Sequence, residues 1–197
     1  MLSVNKVFTI LLLTFTSAVS VASQTMTQNQ DTKLINWSLI EHGLHLQLIQ
    51  RTPDQTRGFF LGRGFSNAVT NDIATQCVFQ TIVRNTDKYS GKAITLPLPT
   101  WVVHYQNKSQ PIKLKEKWDS QWSTSEVAMA SRLAFRWATF PTQQTFEPSG
   151  DRNWGMISMG LPPGASFDLT VKWQHGDQNH SATIKAMQCP ADGQNAK

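Results

Sequence analysis

Three side chains in the C-terminal third of the chain suit a soft metal ion. Trp154, Met156 and Met159 lie within six residues of one another, and thioether sulfur is a soft ligand that favours Cu(I). On a β-strand, Trp154 and Met156 would share one face while Met159 points to the other, unless a bulge at Gly155 or Gly160 redirects it. The pattern predicts a copper site, with core packing of both methionines as the alternative.

Two histidines offer a second, independent route to a metal. His175 and His180 bracket four polar residues, 176–179. If these four form a hairpin loop, the two imidazoles lie opposite each other with Cβ atoms about 5 Å apart. Imidazole binds either copper state, so we expect the pair to form a separate site or to complete the first one. Solvated surface histidines are the alternative, and the other three histidines are weaker candidates.

Tryptophan is the third unusual feature, since the chain contains seven. Trp118 and Trp122 lie four residues apart and would form one aromatic ledge on a helical turn. An exposed ledge of this kind anchors protein interfaces or stacks against sugar rings, whereas a buried one merely packs on the domain. Trp37, Trp137 and Trp173 fall on apolar faces and are predicted to be core residues.

Motifs of the common enzyme classes are missing from the sequence. It contains no G-x-S-x-G nucleophile motif, no phosphate-binding or dinucleotide-binding glycine pattern and no H-E-x-x-H. The carboxylates are scattered, although glycosidase chemistry needs only two that face one bond and spacing alone does not exclude it. We therefore predict that the protein is not an enzyme.

The N-terminal segment has the features of a secretory signal peptide. A basic start precedes an apolar run over residues 7–15, and small residues follow over 17–23. The run is shorter than the about 20 residues that a transmembrane helix needs. We predict that residues 1–23 are a signal peptide, and that the mature protein is periplasmic or secreted, without a transmembrane anchor.

Export changes what the cysteines and the charge indicate. Cys77 and Cys189 are the two cysteines and do not form a C-x-x-C motif, so a disulfide is predicted in an oxidising compartment. A metal-binding thiol pair or a redox site are the alternatives. The formal net charge is +5. Because an exported protein does not meet nucleic acid, this charge favours anionic lipid head groups, acidic glycans or an acidic protein surface, or else it is merely solvated.

The length of residues 24–197 predicts a single domain, and period-two alternation of apolar residues predicts that it contains about 8–10 short strands. Phe167, Leu169, Val171 and Trp173, for example, alternate with polar residues. The predicted strands cover residues 34–40, 44–50, 77–85, 92–98, 101–106, 111–115, 143–146, 154–160, 166–174 and 181–189.

Two helical insertions interrupt the predicted strands, near residues 53–76 and 124–137. Thr52 and Pro53 form a helix start with Gln55 in capping position, and that first helix should end near residue 61. In the second insertion an apolar face follows helical spacing. That face consists of Val127, Ala130, Leu133, Ala134 and Trp137.

Two turn segments resemble those of immunoglobulin-like domains in exported bacterial proteins. They are Val83-Arg84-Asn85-Thr86, before an aliphatic strand, and Leu161-Pro162-Pro163-Gly164, which opens another. The resemblance implies a mostly β, immunoglobulin-like sandwich and carries no implication about activity.

Together these features predict an exported, non-enzymatic binding or accessory protein. Copper handling in the envelope, with a metal donor or acceptor as partner, is the favoured function, because export and soft ligands coincide. A protein-interaction module for envelope or surface assembly and a glycan-binding module are the alternatives. Both of them would use the ledge of Trp118 and Trp122.

Overall fold

Two antiparallel sheets dominate the computed structural model, which describes residues 23–193 and consists of 43% strand and 22% helix. The predicted signal peptide, up to residue 22, lies outside the described residues. The strands are β1 Ser23–Gln28, β2 Ile35–Glu41, β3 Leu44–Gln50, β4 Val78–Asn85, β5 Ile94–Pro97, β6 Val102–Tyr105, β7 Lys108–Pro111, β8 Gln143–Phe146, β9 Arg152–Ser158, β10 Ser166–His175 and β11 Gln178–Gln188. The helices are α1 Pro53–Leu61, α2 Asn67–Ala74, α3 Lys115–Gln121 and α4 Met129–Ala138, with a short 3-10 turn at Leu98–Thr100.

The first sheet has the strand order β1-β2-β3-β4-β9, and the second is built around β10. On one side β10 pairs with β11. On its other side β10 pairs with β6 near one end and with β5 near the other, because the 3-10 turn interrupts the chain between those two strands. β7 and β8 complete the second sheet at its far edge. The mostly β, sandwich-like arrangement that the alternation predicts is confirmed.

The main core lies between the two sheets. In β3, Leu44, Leu46 and Leu48 are buried on one face, as period-two alternation requires. In β10 the four alternating apolar residues from Phe167 to Trp173 are buried in the same core. β1 is absent from the predicted strands, since its side chains are all exposed and its sequence lacks an apolar face.

A second core lies on the outer face of the first sheet, where the four helices of the described chain cover β4 and β9. α1 begins as predicted, because the Thr52 hydroxyl accepts from the Gln55 amide while the Gln55 side chain accepts from the Thr52 amide. Aromatic rings fill the space between helices and sheet. This helix-side core consists of Phe60, Phe65, Val69, Ile73, Val78, Trp118, Trp122, Val127, Phe135, Ala138 and Met156.

Two predictions in the helical regions are wrong. The predicted strand over residues 111–115 does not form, because β7 ends at Pro111 and α3 begins at Lys115. The predicted apolar face of α4 includes Leu133 and Trp137, yet Trp137 is 80% exposed and the helix buries Phe135 instead. Ring contacts explain why α4 presents Phe135 to the core. The centroid of the Phe135 ring lies 4.9 Å from that of Trp122 and 5.5 Å from that of Phe60.

The predicted disulfide is present between Cys77 and Cys189, which are 112 residues apart in sequence. Cys77 directly precedes β4 of the first sheet, and Cys189 directly follows β11 of the second. The bond therefore ties the two sheets together, and it is compatible with an oxidising extracellular compartment. Among residues 23–193, no helix is both long enough and apolar enough to cross a membrane.

Candidate functional site

The predicted cluster of Trp154, Met156 and Met159 is not assembled. β9 pairs with β4 in regular register from residue 152 to 158, without a bulge. Met156 therefore points to the helix-side core, while Met159 is fully buried in the core between the sheets. Because the two thioethers lie on opposite sides of the first sheet, they cannot hold one ion together with Trp154.

Gly155 does not form the bulge considered in the sequence analysis, and instead allows another backbone segment to approach β9 closely. A Cβ at this position would lie 2.5 Å from the backbone nitrogen of Phe140 and 2.7 Å from its Cα. The segment after α4 runs alongside β9 at this point in parallel orientation, and the Phe140 amide donates to the Met156 carbonyl at 2.9 Å. Only glycine permits so close a backbone approach.

The histidine pair is closer to prediction but has a different register. The hairpin between β10 and β11 turns on two residues, Gly176 and Asp177, with Gly176 at φ 58° as a II′ turn requires. His175 consequently pairs with Gln178 rather than lying directly opposite His180. The two imidazoles are diagonal neighbours with ring centroids 6.3 Å apart.

A third histidine, His42, joins the pair from the other sheet. It lies in the loop between β2 and β3, and its ring stacks on His180 with centroids 4.1 Å apart and an interplanar angle of 19°. Trp173 stacks on His180 as well, at 5.5 Å. We call His42, His175 and His180 the histidine cluster. The sequence could not reveal it, because the contact between the two hairpins is purely tertiary.

The surroundings of His180 favour its neutral imidazole. Burial lowers the pKa of His180, and electrostatic repulsion from the neighbouring His42 and His175 lowers it further. Within residues 23–193, no group hydrogen-bonds to the buried Nε2 of His180. His175 is held differently, since its Nε2 lies 2.8 Å from a carboxylate oxygen of Asp87. Hydrogen bonds, chiefly from Ser90 and then from His175, hold the pKa of Asp87 well below its usual range.

The arrangement of the histidine cluster limits what it can bind. Stacked rings direct their nitrogen lone pairs side by side rather than towards one point. Within residues 23–193, no three or more His, Cys, Asp or Glu side chains are arranged to hold a metal ion. A ligand of the cluster would therefore be held by one or two imidazole nitrogens, and the buried Nε2 of His180 is a candidate because no group of the described chain hydrogen-bonds to it.

The predicted exposed ledge of Trp118 and Trp122 is wrong. The two side chains are only 1% and 7% exposed, with ring centroids 6.2 Å apart, and both belong to the helix-side core. The Lys113 ammonium lies 3.2 Å from the centroid of the Trp118 ring and covers that ring from outside. These tryptophans pack the helices against the sheet and offer no surface to a partner.

The exposed aromatic surface lies elsewhere, on α4 and β9. Met129, Leu133 and Trp137 follow each other at intervals of four along α4 and are 72%, 47% and 80% exposed. Trp154 is 64% exposed and points to the helix-covered face of β9, two residues before Met156. Thr139, which directly follows α4, bridges to Met156 in parallel orientation, so Trp154 lies two residues along β9 from the point where the end of α4 meets this strand. We call these four side chains the α4 apolar surface.

Positive charge borders the α4 apolar surface. Arg84 and Arg152 are directly opposite each other on β4 and β9, on the same face as Trp154, and both are exposed. α4 carries two arginines and no acidic residue, and the nearby carboxylate of Asp119 is engaged by Arg132 and Arg136.

No protein-family model matches the chain, and neither the curated proteins nor the solved structures include a match.

Proposed function

We propose that the protein is an exported, non-enzymatic binding protein that docks to a component of the envelope or cell surface through the α4 apolar surface. The observation that supports this most directly is the exposure of Met129, Leu133 and Trp137 along α4, together with that of Trp154 on the helix-covered face of β9. Single exposed apolar residues are common, but a contiguous patch of several hundred Å² typically marks an interaction site.

The contrast between the tryptophans strengthens the proposal. Trp118 and Trp122 are buried where the fold needs large side chains, whereas Trp137 and Trp154 contribute little to either core. Exposed tryptophan is the residue most enriched at energetically dominant positions of interfaces. The α4 apolar surface therefore supports the interaction-module hypothesis in place of the predicted ledge. The glycan-binding hypothesis depended on an exposed ledge of Trp118 and Trp122, and both side chains are buried.

Site-specific photo-crosslinking in the native host tests this function and captures the partner whatever its identity. A photoreactive phenylalanine analogue replaces Trp137 in one variant and Tyr89 in the control, because Tyr89 is 97% exposed but lies outside the α4 apolar surface. We expect a discrete adduct from position 137 that is lost when Leu133→Ser is added, and none from position 89. Equal labelling at both positions would refute the proposal, as would the absence of any adduct, to protein or to lipid, from position 137.

Copper handling at the histidine cluster is the second candidate function. It is favoured by the buried Nε2 of His180 beside His42, to which no group in the described part of the chain hydrogen-bonds, because neutral imidazole binds copper in either state. A Cu(I) competition titration would compare the His42→Gln/His180→Gln variant with His104→Gln, whose histidine hydrogen-bonds to Ser109 and Thr170 instead. Loss of uptake in the first variant alone supports the site, and equal uptake in both excludes it.

Export and the immunoglobulin-like class of the sandwich belong to the same proposal. The disulfide and the two antiparallel sheets support them. N-terminal sequencing of the protein recovered from the native host tests export, because cleavage by residue 23 would leave β1 at or near the new N-terminus.

A further inference from the structure

We infer that the partner of the α4 apolar surface is the surface of an anionic lipid bilayer. This inference rests on the proposed docking function and names the chemistry of the docked component. Three features of the described residues carry it: the side chains that protrude, the charges beside them, and the shape of the surface.

The protruding side chains are those that bind at the interface of a membrane. Trp137 places one indole in the last turn of α4, Trp154 places a second on β9 two residues from where the end of α4 meets that strand, and Met129 and Leu133 extend the apolar stripe along the helix. Tryptophan prefers the boundary between head groups and acyl chains, because its ring is apolar and its N–H donates a hydrogen bond. A helix lying in the membrane plane with such a stripe inserts its apolar side chains to a shallow depth.

The charges beside the stripe fit phosphate-bearing head groups. Arg84 and Arg152 are cross-strand neighbours of like charge, an arrangement that destabilises a sheet in the absence of a counter-ion. No ion pair within the described chain engages either guanidinium. Guanidinium groups bind phosphate oxygens with two parallel hydrogen bonds, so a layer of anionic head groups would relieve this repulsion.

The shape of the surface favours a bilayer over an acidic protein. The four apolar side chains stand out from a helix and a strand, with exposures between 47% and 80%. Protein interfaces bury such anchors in matching pockets of one specific partner, whereas a fluid bilayer accommodates protruding side chains of any arrangement. The inferred binding is accordingly reversible, weakened by salt, and dependent on lipid charge.

Co-sedimentation with vesicles tests the inference directly. The mature protein, with its disulfide intact, is mixed with vesicles of phosphatidylglycerol and phosphatidylethanolamine, and separately with vesicles of phosphatidylcholine alone. We expect at least tenfold stronger partitioning onto the anionic vesicles. Leu133→Ser/Trp137→Ser and Arg84→Gln/Arg152→Gln should each lower that partitioning at least tenfold, while Tyr89→Ser, the matched exposed control, should leave it unchanged. Circular dichroism confirms that each variant is folded.

The outcomes separate this inference from the proposed function. If the wild-type protein does not bind anionic vesicles, or if the serine variant binds as well as the wild type, the lipid inference is overturned. In that case a discrete protein adduct from position 137 in the crosslinking experiment would still leave the docking function standing, with a protein as partner. Absence of both vesicle binding and crosslinking would refute the two together.

Discussion

Replacing Gly155 by alanine is expected to be among the most destabilising single-methyl additions in this protein. The added Cβ would lie 2.5 and 2.7 Å from the nitrogen and Cα of Phe140, and 2.9 Å from the carbonyl carbon of Thr139. Carbon atoms in contact prefer about 3.5–4.0 Å, so the segment after α4 would have to move away from β9 by about 1 Å. All three neighbours are backbone atoms, and no side-chain rotation can make room.

The expected magnitude follows from what that movement disrupts. Overpacking of a close contact costs about 1–3 kcal/mol. Separation of the segments also breaks the 2.9 Å hydrogen bond from the Phe140 amide to the Met156 carbonyl, and leaving buried backbone groups unpaired costs about 1–3 kcal/mol. We therefore expect Gly155→Ala to lower the free energy of unfolding by about 2–6 kcal/mol.

Urea denaturation of the disulfide-intact protein measures this change, and Gly58→Ala provides the matched control. A Cβ at Gly58 would meet nothing within 4 Å in the middle of α1, so alanine should be neutral or stabilise by up to about 1 kcal/mol through its higher helix propensity. A Gly155→Ala variant that unfolds within about 0.5 kcal/mol of the wild type would refute the close approach of these two segments.

Three further predictions concern the cores, the disulfide and the histidine cluster. Phe135→Ala should lower the free energy of unfolding in urea by about 3–5 kcal/mol through the cavity it leaves, whereas Trp137→Ala should change it by less than about 0.5 kcal/mol; comparable losses would contradict the observed orientation of α4. Replacing Cys77 and Cys189 by serine should cost about 4–5 kcal/mol on the chain-entropy model, and an unchanged urea midpoint would argue against the bond. Because the folded pKa of His180 lies below its ordinary value of 6.5, the unfolded chain binds more protons below pH 6.5. Stability of the metal-free protein should therefore fall as pH decreases from 6.5 towards the folded pKa, and urea unfolding of His180→Gln should show a smaller slope in that window.

Local signals in the sequence are sufficient for several elements. The cap formed by Thr52, Pro53 and Gln55 locates α1 because the bonds that begin a helix are made among neighbouring residues. Alternation locates β10 because a strand with one buried face has an unambiguous period. The disulfide follows from the expected compartment and the even number of cysteines, and it does not depend on the strand order.

The errors arise where two local solutions are equally good. α4 is apolar on more than one side, so spacing alone does not decide between burying Leu133 or Phe135. The choice is made by Phe60 and Trp122, which are distant in sequence and supply rings for Phe135 to pack against. The register of His175 and His180 is similarly ambiguous, because it depends on whether Gly176 begins a two-residue or a four-residue turn.

The orientation of α4 also separates folding from function in a way that can be measured. The fold should tolerate a polar residue at position 137, since the Trp137 side chain is exposed and belongs to neither core of the described chain. The exposed indole therefore has no stabilising role that would account for it, in contrast to Trp118, which fills the helix-side core. If Trp137→Ser retains the stability of the wild type but no longer docks, the side chain serves binding alone. If the variant loses stability in the same proportion, the α4 apolar surface is part of the fold, and the docking proposal loses its main support.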